Sequence, residues 1–193
     1  MHHLGCLEPR HRKRHSWESA RLWLSLLALF ATQPGTAASP ASLEKAVKAS
    51  FLFKFAPFVE WPADAFTATE RNFIICVMGD DPFGAVLNDV VRGQKIRERP
   101  VNVRRLAIAG SATGCHILYA GHSPDADYAP FAALDGQPVL TVADRDGGPP
   151  GAMIAFVMQS GRVRFRIDDS AARTSGLKIS SKLLGLALAV NRK

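Results

Sequence analysis

The sequence predicts one α/β domain, a single-domain sandwich whose mixed, mainly parallel sheet is flanked by helices and ends in a C-terminal β-hairpin. Two continuous apolar runs, 73–78 and 115–120, are typical of strands that are buried on both faces. Segments with helical spacing separate the strands, which favours parallel pairing. Residues 153–158 and 163–167 flank a Ser-Gly turn and predict an antiparallel hairpin.

The first predicted helix opens the folded region at Ser42. Apolar residues then recur at a spacing of about four residues, which places them on one face of a helix. Pro57 interrupts the pattern near its end, because proline cannot donate the backbone hydrogen bond of a helix interior. The apolar positions are Leu43, Val47, Phe51, Leu52 and Phe55.

Turn residues mark the start of the next elements. Asp80 or Asp81 is expected to cap a helix over 82–91, because a carboxylate can accept hydrogen bonds from the free amides of the first turn. Alternating apolar residues over 100–108 predict a strand, and the apolar segment 139–142 predicts another.

The C-terminal region is predicted to be helical. Asp168 or Asp169 is expected to cap a helix that begins near Ala171. Leucine and isoleucine residues over 177–188 indicate a final helical region, and Gly176 is expected to divide the two helices.

The first 38 residues differ from the rest of the chain. A basic start precedes a ten-residue apolar run at 22–31, and the small residues Thr36 and Ala38 follow it. This order is typical of a cleaved secretory signal peptide over 1–38, which leaves 39–193 as the folded domain. The alternative is an uncleaved signal anchor, although a bilayer span needs roughly 20 apolar residues.

The positive charge of the chain lies partly in this leader. The whole sequence has a formal net charge of +7, but residues 39–193 keep 19 basic and 15 acidic residues, a net charge of +4. A mildly basic domain gives little support to nucleic-acid binding, which needs a concentrated basic surface. We therefore expect an exported protein that does not bind nucleic acid.

The cysteines of an exported chain are expected to pair. Cys6 leaves with the leader, and Cys76 and Cys115 remain in an oxidising compartment, where disulfides persist. The alternative is a metal site that adds His116 and His122. Consecutive residues of a strand point to opposite faces, so Cys115 and His116 are poorly placed to bind one ion together.

No known catalytic motif is present in the sequence. It lacks the nucleophile elbow, the phosphate-binding loops, the dinucleotide fingerprint and the zinc-protease motif. Asp80 and Asp81 are adjacent and diverge on an extended segment, so a turn explains them better than acid–base catalysis. We predict no catalytic residue, no metal and no cofactor; an unrecognised hydrolase is the alternative.

An aromatic cluster follows the first predicted helix. Its residues either cover the core or form an exposed patch for a partner. On the second interpretation the partner-binding candidates are Phe51, Phe55, Phe58 and Trp61.

Arginines alternate along the second strand of the predicted hairpin. Arg162, Arg164 and Arg166 should share one face, with apolar residues on the other. This face is either solvated or, together with Arg173, binds an anion or an acidic partner. These four arginines are the anion-binding candidates.

Five blocks of the sequence, in order, resemble the signatures of the YfiR/HmsC-like family of periplasmic proteins. Together they cover nearly all of 45–190. The blocks are KASFLFKFAPFVEWP (48–62), ICVMGDDPFG (75–84), RPVNVRRL (99–106), CHILY (115–119) and, towards the C terminus, GRVRFRID (161–168) with GLKISSKLL (176–184).

The resemblance implies a periplasmic α/β protein that acts by binding. The family type contacts the periplasmic sensor region of an inner-membrane diguanylate cyclase and keeps cyclic di-GMP production and biofilm formation low until an envelope or redox signal releases it. The resemblance also implies a disulfide between Cys76 and Cys115, a homodimer and no catalytic residues. Some relatives carry a second cysteine pair near 144–151, and this chain has no cysteine there.

Two hypotheses from different classes therefore stand. The first is a periplasmic repressor whose partner is the sensor region of a membrane diguanylate cyclase. The second is a periplasmic protein that binds a small anionic molecule or cell-wall fragment through Arg162, Arg164 and Arg166.

Overall fold

The computed structural model describes residues 39–66, 71–107, 111–124, 129–134 and 136–193. They belong to one compact unit. The predicted signal peptide over 1–38 lies outside the described residues. None of the helices in the described ranges combines the length and the hydropathy needed to cross a bilayer.

The described residues form ten strands and four α-helices. The strands are β1 (Val59–Glu60), β2 (Phe73–Met78), β3 (Lys95–Ile96), β4 (Arg99–Leu106), β5 (Ile117–Ala120), β6 (Leu140–Asp144), β7 (Ile154–Gln159), β8 (Arg162–Asp168), β9 (Lys178–Ile179) and β10 (Val190–Asn191). The helices are α1 (Pro40–Phe55), α2 (Ala85–Val91), α3 (Asp169–Thr174) and α4 (Ser181–Leu184), with short 3₁₀ turns at Ala56–Phe58, Ala63–Ala65 and Ala132–Leu134.

Eight of the strands form one sheet in the order β10-β8-β7-β6-β5-β2-β4-β3. Five of its seven strand pairings are parallel, and only β7–β8 and β3–β4 are antiparallel. β1 and β9 form a separate antiparallel ribbon. The predicted mixed, mainly parallel sheet with a C-terminal hairpin is confirmed.

Strand β2 lies at the centre of the sheet, and all six of its residues are buried. Phe73, Ile75 and Val77 pack into the larger core, which α1 and α2 also line. The alternate residues Ile74, Cys76 and Met78 pack into a smaller cluster on the other face. Cover on both faces explains why this segment is continuously apolar.

Helix α1 begins before the predicted residue, Ser42. The Ser39 hydroxyl accepts a hydrogen bond from the Ser42 amide at 3.1 Å, and Pro40 occupies the first helical position. Leu43 is 60% exposed, so the predicted apolar face contacts the core only in the second half of the helix. The buried apolar residues of that half are Ala49, Leu52 and Phe55.

Helix α2 begins later than predicted. The Asp81 carboxylate accepts hydrogen bonds from the amides of Phe83 at 2.8 Å and Gly84 at 3.1 Å, so it closes a turn before the helix. Gly84 then stands at the N-cap with φ +51°, a conformation that favours glycine. The predicted cap is therefore one turn away from the helix.

The final helical region predicted over 177–188 is wrong except for α4. Asp168 does cap α3, through the Ala171 amide at 2.9 Å, as predicted. After Gly176 (φ +72°) the chain instead forms β9 against β1, and later β10 beside β8. Tertiary strand pairing here overrides the local apolar pattern.

Candidate functional site

A cleft of about 420 Å³ opens where the parallel strands β2, β5 and β6 end. From β2 the chain runs to β4 on one side, whereas from β5 it runs to β6 on the other. This reversal is a topological switch point, the place where open α/β sheets bind ligands. Side chains that line the cleft include Asp80, Tyr119, His122, Asp144 and Asp146.

Close backbone packing forms the base of this cleft. The Gly121 amide donates to the Met78 carbonyl at 2.8 Å, and the Asp80 amide donates to the His122 carbonyl at 2.9 Å. A Cβ atom at position 121 would lie 1.9 Å from the Asp80 carbonyl oxygen. Only glycine fits there, so the segment after β5 can lie directly against the segment after β2.

A buried cation supports the cleft from α1. Nζ of Lys48 lies 2.8 Å from the Asp144 carboxylate and 2.6 Å from the Glu44 carboxylate. Lys48 is only 8% exposed. Burial by itself would lower the pKa of Lys48, but the two carboxylates outweigh burial and raise it above 10.5. Lys48 is therefore charged at neutral pH.

This network limits the chemistry of the cleft. Asp144 forms an ion pair with Lys48 through one carboxylate oxygen and accepts a hydrogen bond from the Tyr119 hydroxyl at 3.2 Å on the other, so both oxygens already face a protein group. His122 shares a hydrogen bond with the Gly147 carbonyl at 3.1 Å. Across the described ranges no three histidine, cysteine or acidic side chains are grouped so that they could hold a metal ion. The arrangement suits binding better than proton transfer.

No local sequence pattern indicates the pair formed by Lys48 and Asp144. Lys48 stands in an apolar helix pattern and Asp144 ends a strand, 96 positions away. One feature of the sequence could have indicated an ion pair: Lys48 lies on the core side of an amphipathic helix, and a buried lysine normally needs an acidic partner.

Cys76 of β2 and Cys115, just before β5, form a disulfide with a Cα–Cα distance of 5.8 Å. The metal alternative for these cysteines is therefore wrong. Arg104 of β4 extends over the bridge: its Nη2 lies 3.1 Å from Cys115 Sγ and donates to the Thr113 carbonyl at 2.6 Å. The bridge ties two central strands together beneath a cationic side chain.

His116 is a core residue. Its Nδ1 accepts a hydrogen bond from the Ile74 amide at 3.0 Å, and its ring stacks against Phe66 and Phe73, each at 4.7 Å. The imidazole supplies a hydrogen-bond acceptor for the buried Ile74 amide of strand β2, which is a structural role.

The aromatic candidates divide into two pairs. Phe55 and Trp61 are 1% and 6% exposed and belong to the core, so burial removes them from the predicted contact surface. Phe55 packs on the hairpin through Phe165 at 5.2 Å, and Trp61 packs edge-on against Phe73 at 5.2 Å. Phe51 and Phe58 are half-buried, so they are the two of these four aromatic candidates that can still contact a partner.

The arginine candidates also divide. Arg162, Arg164 and Arg166 are exposed along one face of β8, as the alternation predicts. Within the part of the chain that the structure describes, none of the three forms an ion pair. Arg173 instead lies on α3 and pairs with the buried carboxylate of Asp169. Three of the four predicted arginines thus remain available on the hairpin.

Comparison with known families matches most of the chain to one of them. The profile described as YfiR/HmsC-like matches residues 45–188, which extend from the first turns of α1 nearly to β10. Comparison with curated proteins gives no match.

Proposed function

This chain belongs to the YfiR/HmsC-like family, and from that premise we propose that it is an exported periplasmic regulator. In this proposal it binds the periplasmic sensor region of an inner-membrane diguanylate cyclase. Binding represses cyclic di-GMP production and, through it, biofilm formation. The regulator acts as a homodimer.

The family match carries this proposal, because it covers seven of the eight strands of the sheet, the hairpin among them, and most of the two longest helices. The family is regulatory, and the cleft chemistry agrees with a protein that binds. Asp144 is held by Lys48 and Tyr119, and Cys76 and Cys115 are consumed in a disulfide. In this proposal the protein acts through its surfaces.

Two features support export. The basic start, the short apolar run and the small residues at the end of 1–38 have the order of a signal peptide. The disulfide between Cys76 and Cys115 is of the type that persists in the periplasm and not in the reducing cytosol.

A direct binding measurement tests the proposal. The full chain is expressed with its own leader, purified from the periplasm and titrated against immobilised periplasmic sensor regions of the host's membrane diguanylate cyclases. We expect one sensor region to bind at micromolar concentration or below. Chain that has been reduced and unfolded serves as the control. No binding to any of these sensor regions would refute the proposed partner, and sedimentation of the same sample tests the dimer.

The switch-point cleft favours a second candidate, the binding of a small periplasmic molecule. The position between β2 and β5 and the volume of about 420 Å³ are typical of ligand sites in α/β proteins. A ligand that binds only the folded state raises the melting temperature, so a thermal-shift screen tests this candidate. Stabilisation of the wild type but not of Asp80→Asn would place the binding site in the cleft. Equal stabilisation of both proteins would place the binding site elsewhere.

A further inference from the structure

An apolar groove of about 490 Å³ runs between the N-terminal half of α1 and the tip of the β7–β8 hairpin. Leu43 and Met158 line it and are 60% and 42% exposed, two of the four most exposed large apolar side chains in the described ranges. Val47, Phe51 and Val163 complete the lining. The groove is therefore apolar and open to solvent.

The hairpin holds one side of the groove in a fixed shape. Ser160 and Gly161 both have positive φ, 50° and 71°, as in the two-residue turns that match the twist of paired strands. Met158 pairs with Val163 across the hairpin, so both side chains lie on the side that faces α1. The groove is thus formed before any partner arrives.

A row of cations begins at the tip of the hairpin and follows the face of the sheet opposite to α1, because alternate residues of β8 point to opposite faces. Arg162 lines the groove, and Arg164 and Arg166 continue along β8 at intervals of about 7 Å, two residues of a strand. No carboxylate of the described residues forms an ion pair with them. Glu44, at the edge of the groove, is already held by Lys48 at 2.6 Å. The positive charge is therefore open to an external anion.

We propose that the hairpin surface (Leu43, Met158, Arg162, Arg164 and Arg166) binds an acidic, amphipathic segment of the cyclase sensor region. An apolar side chain of that segment enters the groove between Leu43 and Met158 on the α1 side. The segment then crosses the hairpin at Arg162, and its carboxylates pair with Arg164 and Arg166 on the opposite face. This inference rests on the proposed function and specifies where the partner docks. Apolar anchors in a pocket supply most of the energy of such interfaces, and complementary charge supplies register and association rate.

Charge decides between this occupant and a second copy of the chain. A two-fold symmetric interface places the same patch on both subunits, so the arginine rows of two copies would lie near each other. Like charges brought together at an interface weaken it, whereas an acidic segment neutralises them. The hairpin surface therefore suits an acidic partner better than it suits a second copy of this chain.

Two double variants with matched controls test the surface. Leu43→Gln with Met158→Gln removes the groove's apolar edge, and its control is Leu186→Gln with Val86→Gln, whose residues are 59% and 37% exposed elsewhere. Arg164→Glu with Arg166→Glu reverses the charge. Its control, Arg92→Glu with Lys95→Glu, makes the same charge change near the opposite edge of the sheet.

Binding to the sensor region is measured for each full-length variant at low and at physiological salt. We expect the groove variant and the arginine variant each to bind about tenfold more weakly or worse, with the controls within about twofold of wild type. The arginine variant should also lose much of the salt dependence. All eight positions are exposed, and circular dichroism verifies that each variant is folded.

The failures can be told apart. If wild type binds no sensor region, the proposed function fails and this surface fails with it. If wild type binds and both test variants bind equally well, the docking site is wrong and the function stands. If the groove variant turns a dimer into a monomer but keeps sensor binding, the surface joins two copies of this chain and the inference is wrong.

Discussion

Nζ of Lys48, in the middle of α1, lies 2.8 Å from the carboxylate of Asp144 at the end of β6. The Tyr119 hydroxyl of β5 donates to the other oxygen of the same carboxylate at 3.2 Å. One ion pair therefore joins the first helix to the carboxyl edge of the sheet, beside the switch-point cleft. Lys48 is only 8% exposed, and removing its charge leaves the partly buried carboxylate of Asp144 without its ion-pair partner.

Replacing Lys48 with Met should therefore destabilise the domain. We expect a loss of about 1–3 kcal/mol in the free energy of unfolding, the cost of leaving a partly buried acceptor without its partner. Urea denaturation measures it. Lys45→Met changes an exposed lysine of the same helix and should have little effect. Equal stability of the two variants would contradict the role given to Lys48.

The same pair predicts a dependence on alkaline pH. The pKa of Lys48 is raised from 10.5, because its two carboxylates outweigh the effect of burial. A raised pKa in the folded state contributes stability that is complete below 10.5 and is lost as pH rises through the folded value. The advantage of wild type over Lys48→Met should hold from neutral pH to about 10 and shrink above 10.5. An advantage that already disappears between pH 7 and 9 would contradict this.

Asp168 predicts a dependence on acid. Partial burial would raise the pKa of Asp168, but hydrogen bonds from Ser170, Ala171 and Asn191 lower it below 3.8. A lowered pKa contributes stability that is present above 3.8 and is lost as pH falls through the folded value.

Asp168→Ala should therefore cost about 1 kcal/mol at pH 7, the usual cost of losing an N-cap. Its deficit relative to wild type should shrink as pH falls below 3.8. Asp64→Ala, at an exposed carboxylate, is the control. Denaturant unfolding at pH 3 to 7 gives both curves, and a deficit that stays constant down to pH 3 would argue against the hydrogen-bonded carboxylate.

The disulfide should make a large contribution to stability. Cys76 and Cys115 are 39 positions apart, and closing a loop of that length restricts the unfolded chain by roughly 3–4 kcal/mol in the chain-entropy model. The double variant Cys76→Ser with Cys115→Ser should lose about that much. Non-reducing peptide mapping of exported protein should find the two cysteines linked; free thiols there would be the opposite result.

Gly121 should not tolerate a side chain. A Cβ atom would lie 1.9 Å from the Asp80 carbonyl oxygen, so Gly121→Ala must move the backbone at the base of the cleft. We expect a clear fall in melting temperature. Gly185→Ala is the matched control, because its φ of −69° suits alanine and its closest contact is 3.3 Å. Similar melting temperatures for both variants would show that the cleft is looser than described.

The fold was predictable where local pattern and tertiary environment agree. The run at 73–78 is continuously apolar because helices and loops cover both faces of β2. The alternation after Gly161 matches β8, which has one face on the core and one in solvent. Over 177–188 the leucines indicated a helix, but β9 forms at Lys178–Ile179 because the distant strand β1 supplies its hydrogen bonds, and β10 follows at Val190–Asn191 beside β8.

The site was less predictable, because the topology creates it. The reversal between β2 and β5 places Asp80 beside Gly121, and no local pattern reports which strands will be neighbours. Sequence spacing also could not show that Trp61 packs on Phe73 in the core while Phe51 stays partly exposed. The shared face of Arg162, Arg164 and Arg166 could be predicted, because it depends only on the alternation of side chains along one strand.

The level of cyclic di-GMP in cells measures whether this chain represses a membrane cyclase from the periplasm. Cells that express one diguanylate cyclase with a periplasmic sensor region are compared with and without the full chain. The control is a chain that lacks residues 2–38. We expect the exported chain to lower cyclic di-GMP several-fold and the leaderless chain to leave it unchanged. An unchanged level with the exported chain verified in the periplasmic fraction, for every cyclase whose sensor region it binds, would contradict the proposed repression.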